Sequence, residues 1–477
     1  MKRKNYYIIP IMLLLLTSCE DWLDVKPKAQ IEEDVLYQQE GGFKDVLYNA
    51  YINMITPAMY GGEMTFGMVD VLGYVYPQVG SLEYMEARNG NYADSRVEAI
   101  FNSMWQTGYN TIANLNNLIK NLKTADRTLF SKDNYNVVLG EAYGLRALLH
   151  FDLLRLFAPS YQANAEALAI PYITQYSFNI TPQYTVSGII DSVLIDLRVA
   201  ADLLRESDPI ATGRQITAID DDGYLLKRPF RFNYYAVKAV MARVYLYKSD
   251  FINATLCADE VINSGKFSWL HEDRMVVTNI ATRDRTFSSE QIFVLHVPNL
   301  NDNTGTRLHE SGLVTGRLLR FTDSDLDALY PSSDDWRKLF LWTPAVTSQI
   351  RYTTKLEQPE GMPDSLTRRM PVIRFPELYL ISAEAALSSD PEKTRSRINE
   401  LRRRRECNIE IPAGTAAEIL RTEILQEYRR EFIAEGILFY YYKRLDSEHI
   451  EGLAGTFDKT KYILPLPLEE IEFGNRH

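Results

Sequence analysis

Cysteine and histidine are scarce in this chain, at 3 and 6 of 477 residues. The histidines stand at 150, 271, 296, 309, 449 and 477. None has HExxH or clustered spacing, which makes a zinc site improbable. No GxSxG elbow, Walker loop or GxGxxG run occurs. The motif-borne routes to acyl transfer, nucleotide hydrolysis and dinucleotide binding are therefore missing, and no cofactor is expected. Positive charge is also short: 52 Lys and Arg against 63 Asp and Glu give a net charge of −11. An acidic chain is a poor ligand for phosphate backbones, which argues against a nucleic-acid partner. Apolar residues make up 46% and charged residues 24%, a globular balance rather than a disordered or polytopic one.

The one long apolar run, Tyr6 to Leu16, follows Lys2, Arg3 and Lys4. It is too short to span a bilayer, which takes about 20 residues, and Pro10 disfavours a continuous helix. A basic start and a short apolar middle read as a secretion leader. The run ends Leu16-Thr17-Ser18-Cys19, which resembles a bacterial lipobox and puts the lipid on Cys19. Each buried CH₂ contributes about 0.8 kcal/mol, and stable anchoring needs more than one acyl chain. A multiply acylated Cys19 would therefore be held lastingly. Glu20-Asp21 resembles the acidic surface-export signal of Bacteroidetes lipoproteins. Cys257 and Cys407 could pair in an exported chain, but buried free thiols are the preferred reading.

Beyond the leader, apolar residues recur with helical spacing. The pattern predicts helices over Gly42–Met54, Arg96–Leu122, Asn134–Phe157 and Ser187–Leu204, the last capped by Ser187. Further helices are expected over Asn233–Tyr247, Phe251–Ser264, Pro376–Leu387 and Pro391–Arg405, with a final long one from about Thr415 to Lys443. The three-residue join Lys248-Ser249-Asp250 implies an antiparallel hairpin. Paired helices of this kind suggest a TPR-like stack, although no clean 34-residue period is present.

Two stretches break the pattern. Ala58–Asp94 carries Tyr60, Phe66, Tyr74, Tyr76, Tyr84 and Tyr92 among several glycines. Phe267–Arg374 is rich in Asn, Asp, Ser, Thr, Gly and Pro, with a β-like run over Gln291–Val297. Loop-rich regions this long inside a helical protein are usually functional. Rings on such loops suit ligand stacking, so Tyr74, Tyr76, Tyr84, Trp269, Trp336 and Trp342 are the candidate binding residues.

Chemistry is harder to find. Asp220-Asp221-Asp222-Gly223 lacks the alternating ligands of a calcium loop and reads as a solvated turn. Glu431 and Glu435 lie one helical turn apart, but Arg429, Arg430, Lys443 and Arg444 along the same segment favour ion pairing over hydrolysis. Arg402 to Arg405 reads as a solvated helix face. No catalytic and no metal-ligating set is assigned.

Several ordered segments carry a resemblance. They are Glu141-Ala-Tyr-Gly-Leu-Arg-Ala147, Ala239-Val-Met-Ala-Arg-Val-Tyr-Leu246, Met370-Pro-Val-Ile-Arg-Phe-Pro-Glu-Leu-Tyr-Leu-Ile-Ser-Ala-Glu-Ala385, Arg397-Ile-Asn-Glu-Leu-Arg-Arg-Arg404, Glu427-Tyr-Arg-Arg-Glu-Phe-Ile-Ala-Glu-Gly436 and Tyr462-Ile-Leu-Pro-Leu-Pro467. Together they resemble the SusD/RagB family of Bacteroidetes outer-membrane nutrient-binding lipoproteins. Ile437 departs from the Arg usual after Glu-Gly, and Ala158-Pro-Ser-Tyr161 from a common Tyr-Gly turn. The resemblance implies an all-α fold of TPR-like helical pairs with loop-rich, slightly β-containing inserts. It divides the chain into a leader (1–18), a lipidated tether (19–30) and one SusD-like domain (31–477). Within that domain the helical scaffold covers about 31–57, 95–265 and 375–477, and ligand-facing inserts cover about 58–94 and 267–374. It also implies a non-catalytic role: capture of an oligosaccharide, or a peptide, for a SusC-like TonB-dependent β-barrel transporter at the cell exterior. Arg374, Glu377 and Glu384 are expected to lock helix against helix rather than to bind ligand. A surface-anchored glycoside hydrolase would instead require a carboxylate pair with raised pKa in a cleft, and a helical scaffold without a small-molecule site would show no aromatic shelf.

Overall fold

The computed structural model describes residues 35–217, 223–309, 311–343, 349–474 and 476. Cys19, the leader, the tether and Asp220 to Asp222 lie outside the described residues. Helix α1 spans Glu40–Met54, and two short helices follow, α2 (Met68–Leu72) and α3 (Leu82–Arg88). The scaffold proper is α4 (Ser95–Thr124), α5 (Asn134–Phe157), α6 (Val186–Ser207), α7 (Tyr234–Tyr247), α8 (Phe251–Ile262), α9 (Phe375–Ala386) and α10 (Pro391–Arg403). Each of these packs on the next, so the fold is a TPR-like stack of helical pairs. Helices α5 and α7 are buried nearly all round and lie at the centre. No helix among the described residues is long and apolar enough to cross a membrane.

Most helix boundaries agree with the periodicity to within a few residues. The cap of α6 does not. Thr185 is the N-cap, its Oγ1 accepting from Gly188 N at 3.1 Å, while Ser187 sits inside the first turn and donates to Glu166. Asn233 and Asp250 cap α7 and α8 in the same manner as Thr185. Cys257 and Cys407 are buried free thiols.

Among the described residues, seven short strands form three small antiparallel sheets. They are β1 (Gln78–Val79), β2 (Leu168–Pro171), β3 (Gln183–Thr185), β4 (Gln291–His296), β5 (Leu319–Thr322), β6 (Ile350–Arg351) and β7 (Arg369–Arg374). The pairings are β1-β5-β6, β2-β3 and β4-β7. In the last, Gln291 faces Arg374, which delivers Arg374 to the start of α9.

The expected final helix is two helices. Helix α11 (Ala417–Glu431) stops, and α12 (Leu438–Arg444) restarts after Phe432–Ile437. In the break Ala434 has φ +66° and Gly436 φ +68°. A break leaves carbonyls and N–H groups without helical partners. Lys355 Nζ donates to the carbonyls of Glu431 (3.0 Å) and Ile433 (2.9 Å). Asp70 accepts from Ala434 N (2.8 Å) and Gly436 N (2.9 Å). The periodicity runs straight through the break because both partners come from distant segments.

A buried ion network lies beside this break. Arg374 contacts Glu290 (3.0 Å), Glu431 (2.7 Å) and Glu435 (2.6 Å). Arg405 contacts Glu290 and Glu431, each at 2.8 Å. Arg337 contacts Glu427 (3.1 Å) and Glu431 (3.0 Å), and Arg402 and Arg430 each reach Glu427 at 2.8 Å. Glu431 and Glu435 are thus ion-paired, but with partners from other elements rather than from neighbours along their own segment. The run Arg402 to Arg405 is not a uniform solvated face either. Arg403 and Arg404 are exposed, while Arg402 and Arg405 point into the network. Glu377 pairs with Arg243 of α7 (2.6 Å) and Glu384 with Arg444 of α12 (2.6 Å), so both lock helix to helix.

Burial raises the Glu427 carboxyl, but Arg337, Arg430 and Arg402 outweigh it and hold it down to about 2. A carboxyl depressed on folding adds stability above its unfolded pKa, and that stability is lost as pH falls through the folded value. Glu427→Gln should therefore cost about 3 kcal/mol at pH 6 and flatten the loss of stability between about pH 5 and pH 2. Urea unfolding across that range measures both.

Candidate functional site

Four of the six candidate rings lie in the core. Tyr76 is 1% exposed, Tyr84 2%, Trp336 2% and Trp342 8%. Tyr76 donates to Asp70 Oδ2 at 3.1 Å. Tyr84 donates to Glu63 Oε2 at 2.9 Å and accepts from Arg307 Nε at 2.7 Å. Trp336 stacks on Phe287 (5.8 Å) and covers Arg405 at 4.8 Å. Trp342 packs edge-on to Phe321 at 4.7 Å. Of the four, Trp336 lies over the ion network, where its ring shields Arg405 from water. No face of these four is left for a ligand. Trp269 is half-buried against Phe375 and Tyr379 (5.4 and 4.8 Å) and shares no ring neighbour with Tyr74.

Tyr74 lines a cleft. The cleft has a volume of about 170 Å³ and is lined by Tyr74, Tyr92, Phe457, Arg88, Asp458 and Lys461, among others. Its walls come from three places. Helix α2 ends against α12, where Gly73 is so close to Phe439 N that a Cβ would stand 2.7 Å from it. Tyr74 follows with φ +54°, an uncommon backbone for a ring-bearing residue. It is fixed there by its hydroxyl, which donates to Arg88 O at 3.0 Å, and by the Arg88 guanidinium over its ring at 4.5 Å. Helix α3 supplies Arg88 at its last position, held by Tyr76 O at 2.7 Å. The loop after α12 supplies Phe457, edge-on to Tyr74 at 6.3 Å and packed on Tyr462 at 4.5 Å.

Tyr92 joins the two sides by donating to Lys461 O at 2.7 Å. Burial raises the Tyr74 and Tyr92 hydroxyls and lowers Arg88. Both phenols are therefore neutral near pH 7 and can donate or accept hydrogen bonds. Phe457, Arg88 and Lys461 were absent from the sequence-based candidates. For Phe457 a signal existed: it is a ring on a Gly-containing loop, Gly452 to Asp458, as in the first insert. Nothing in the sequence brings that loop to Arg88.

The Asp70 carboxyl is pushed up, to about 8. Burial is the cause, against the lowering from Gly436, Tyr76 and Ala434. It lies in the core rather than the cleft, engaged by those three donors. No group of three or more His, Cys, Asp or Glu able to hold a metal occurs among the described residues.

Because Trp336 fills the core, Trp336→Ala should cost about 3–5 kcal/mol of stability in chemical denaturation. Tyr92→Phe, which loses one hydrogen bond, should cost about 1 kcal/mol.

A family model described as "Starch-binding associating with outer membrane" matches residues 21–246, and the "SusD family" model matches residues 319–471. SusD-like protein P38 of Formosa agariphila is 23% identical over 268 residues, 55% of this chain. That match spans about half the relative's length, 46%. A SusD superfamily crystal structure from Bacteroides thetaiotaomicron superposes with TM-score 0.69 at 21% identity, covering 92% of this chain and 98% of that one. A putative sugar binding protein from Bacteroides vulgatus gives 0.68 at 20% identity, covering 91% and 96%. A SusD-like carbohydrate binding protein from the same species gives 0.70 at 18% identity, covering 92% and 96%. At these identities the structures establish the fold, and the family models carry the assignment: the chain belongs to the SusD/RagB family.

Proposed function

We propose that this chain is a non-catalytic, lipid-anchored protein of the outer membrane's exterior face. It captures an oligosaccharide, or less readily a peptide, and hands it to a SusC-like TonB-dependent β-barrel transporter. In this reading residues 1–18 are the leader, Cys19 carries the lipid, residues 19–30 are the tether and the single domain follows. Tyr74 is the binding ring retained from the sequence, with Phe457 and Tyr92 beside it.

The observation that carries the reading is the cleft between α3 and the loop after α12. Aromatic carbons give a sugar ring an apolar face to lie on, and a few polar groups around them fix its hydroxyls. A cleft of about 170 Å³ has room for roughly one sugar ring at a time, with the chain continuing into solvent. The family model is described as starch-binding, and two of the structural relatives as sugar or carbohydrate binding, which supports glycan over peptide. The hydrolase alternative needs a proton-donating carboxyl in the cleft. The carboxylate lining it, Asp458, is held below its usual range by hydrogen bonds from the Thr460 side chain and backbone.

Two measurements test this. Cys19→Ala should abolish labelling by a fatty-acid analogue and release the protein from the membrane fraction; unchanged retention would refute the anchor. Phe457→Ala should weaken oligosaccharide binding by roughly tenfold in calorimetry while leaving the fold intact. Release of shortened products from a bound polysaccharide would refute the non-catalytic role.

A further inference from the structure

The cleft that the proposed function rests on has a charge character of its own. Two cations line it, Arg88 and Lys461. Most cations of the interior are matched by carboxylates within 4 Å, as Arg374 is by Glu290, Glu431 and Glu435. Among the described residues, no carboxylate lies within that distance of Arg88 or Lys461. Asp458 also lines the cleft and acts on Lys461 only from beyond ion-pair distance. Asp458 accepts from Thr460 N (3.0 Å) and Oγ1 (2.7 Å). Glu86 accepts from Asn91, and Asp94 holds Arg96.

Both cations are held in place by other contacts. The Arg88 guanidinium lies on the Tyr74 ring at 4.5 Å with Nη1 on two backbone carbonyls, and the Lys461 ammonium lies 5.4 Å from the Tyr92 ring centre. Gly90, at φ +77°, lets the Lys461 stem pass close: a Cβ there would stand 2.9 Å from Lys461 Cε. Two ordered cations, neither within 4 Å of a carboxylate, outnumber the one aspartate that lines this half-enclosed cleft beside the rings, and form a site for an anion attached to an apolar-faced ring.

We propose that the cleft selects an acidic sugar, one bearing a carboxylate or a sulfate group, over a neutral sugar of the same backbone. The pyranose face lies against Tyr74 and Phe457, and the anionic group is taken by Arg88 and Lys461. The protein's net charge of −11 repels a polyanion at long range. Selection is therefore local, and it weakens as salt screens the pair.

The test uses matched saccharides on the purified chain in titration calorimetry. One pair is oligogalacturonate and its fully methyl-esterified form; the other is a sulfated galactan oligosaccharide and its desulfated form. Neutral starch and xylan oligosaccharides complete the set. The acidic member of at least one pair should bind about tenfold or more tightly than its neutral counterpart at low salt. Which pair responds distinguishes carboxylate from sulfate. Arg88→Gln and Lys461→Gln should each remove most of that preference, and high salt should reduce it. Equal or tighter binding of the neutral members, or a preference that survives both substitutions, overturns the acidic-sugar inference. In that case binding of any neutral saccharide that is lost in Phe457→Ala leaves the capture function standing. Failure of every saccharide to bind overturns both.

Discussion

A charge removed from water must find an opposite charge or a full set of hydrogen bonds, and this constraint organises the structure. Glu290, Glu427 and Glu431 are buried, as are Arg337, Arg374 and Arg405. Removing one member of such a set typically costs about 3–5 kcal/mol, because the partner is left charged and dry. The members come from β7, from the segment after α10, from α11 and from the long insert. The network therefore fixes the insert to the helical stack with a directional precision that apolar contacts lack. Phe287 and Trp336 lie over it, with Phe287 4.4 Å from Arg374 and 5.2 Å from Arg405. Rings that look like ligand platforms in sequence are used here to keep solvent from arginines.

The same constraint shapes the cleft. The chain leaves α11 because Lys355 and Asp70 take over the backbone groups that the break exposes. Asp70 belongs to α2, so the contact that permits the break also places α2 against the start of α12. Tyr74 lies just beyond α2, and the loop carrying Phe457 lies just beyond α12. Two segments more than 350 positions apart thus meet with their rings edge to edge at 6.3 Å. The strained backbone of Tyr74 persists because Arg88 and Phe457 hold the side chain from two sides.

What could be read from the sequence follows from which interactions are local. Helical periodicity is local, so the scaffold helices α4 to α10 were legible almost to the residue. Capping is local too, but it is ambiguous where Thr185 and Ser187 both offer a hydroxyl. The break after Glu431 was not legible, since its determinants, Lys355 and Asp70, are far away in the chain; Gly436 was the only nearby sign. The inward turn of Arg402 and Arg405 was hidden for the same reason, because one run of arginines serves two environments. For the site, ring-rich loops suggested ligand stacking, yet four of the six candidate rings are buried. A Tyr on a loop packs inward whenever a buried acceptor, such as Asp70 for Tyr76 or Glu63 for Tyr84, satisfies its hydroxyl.

Electrostatics also bears on the choice between capture and cleavage. Glycoside hydrolysis at neutral pH needs a carboxylic acid that still holds its proton, near a second carboxylate and open to the sugar. Arginines hold Glu427 and Glu431 well below the ordinary range, so both are fully ionised, and both are inaccessible. Asp70 is pushed the right way, to about 8, but it is sealed in the core with three donors around it. Among the described residues, the cleft is lined by rings, neutral phenols, the amide of Asn89, the hydroxyl of Thr456, two cations and one ionised aspartate. Such a set can orient and retain a sugar, but it offers no acid to protonate a leaving oxygen.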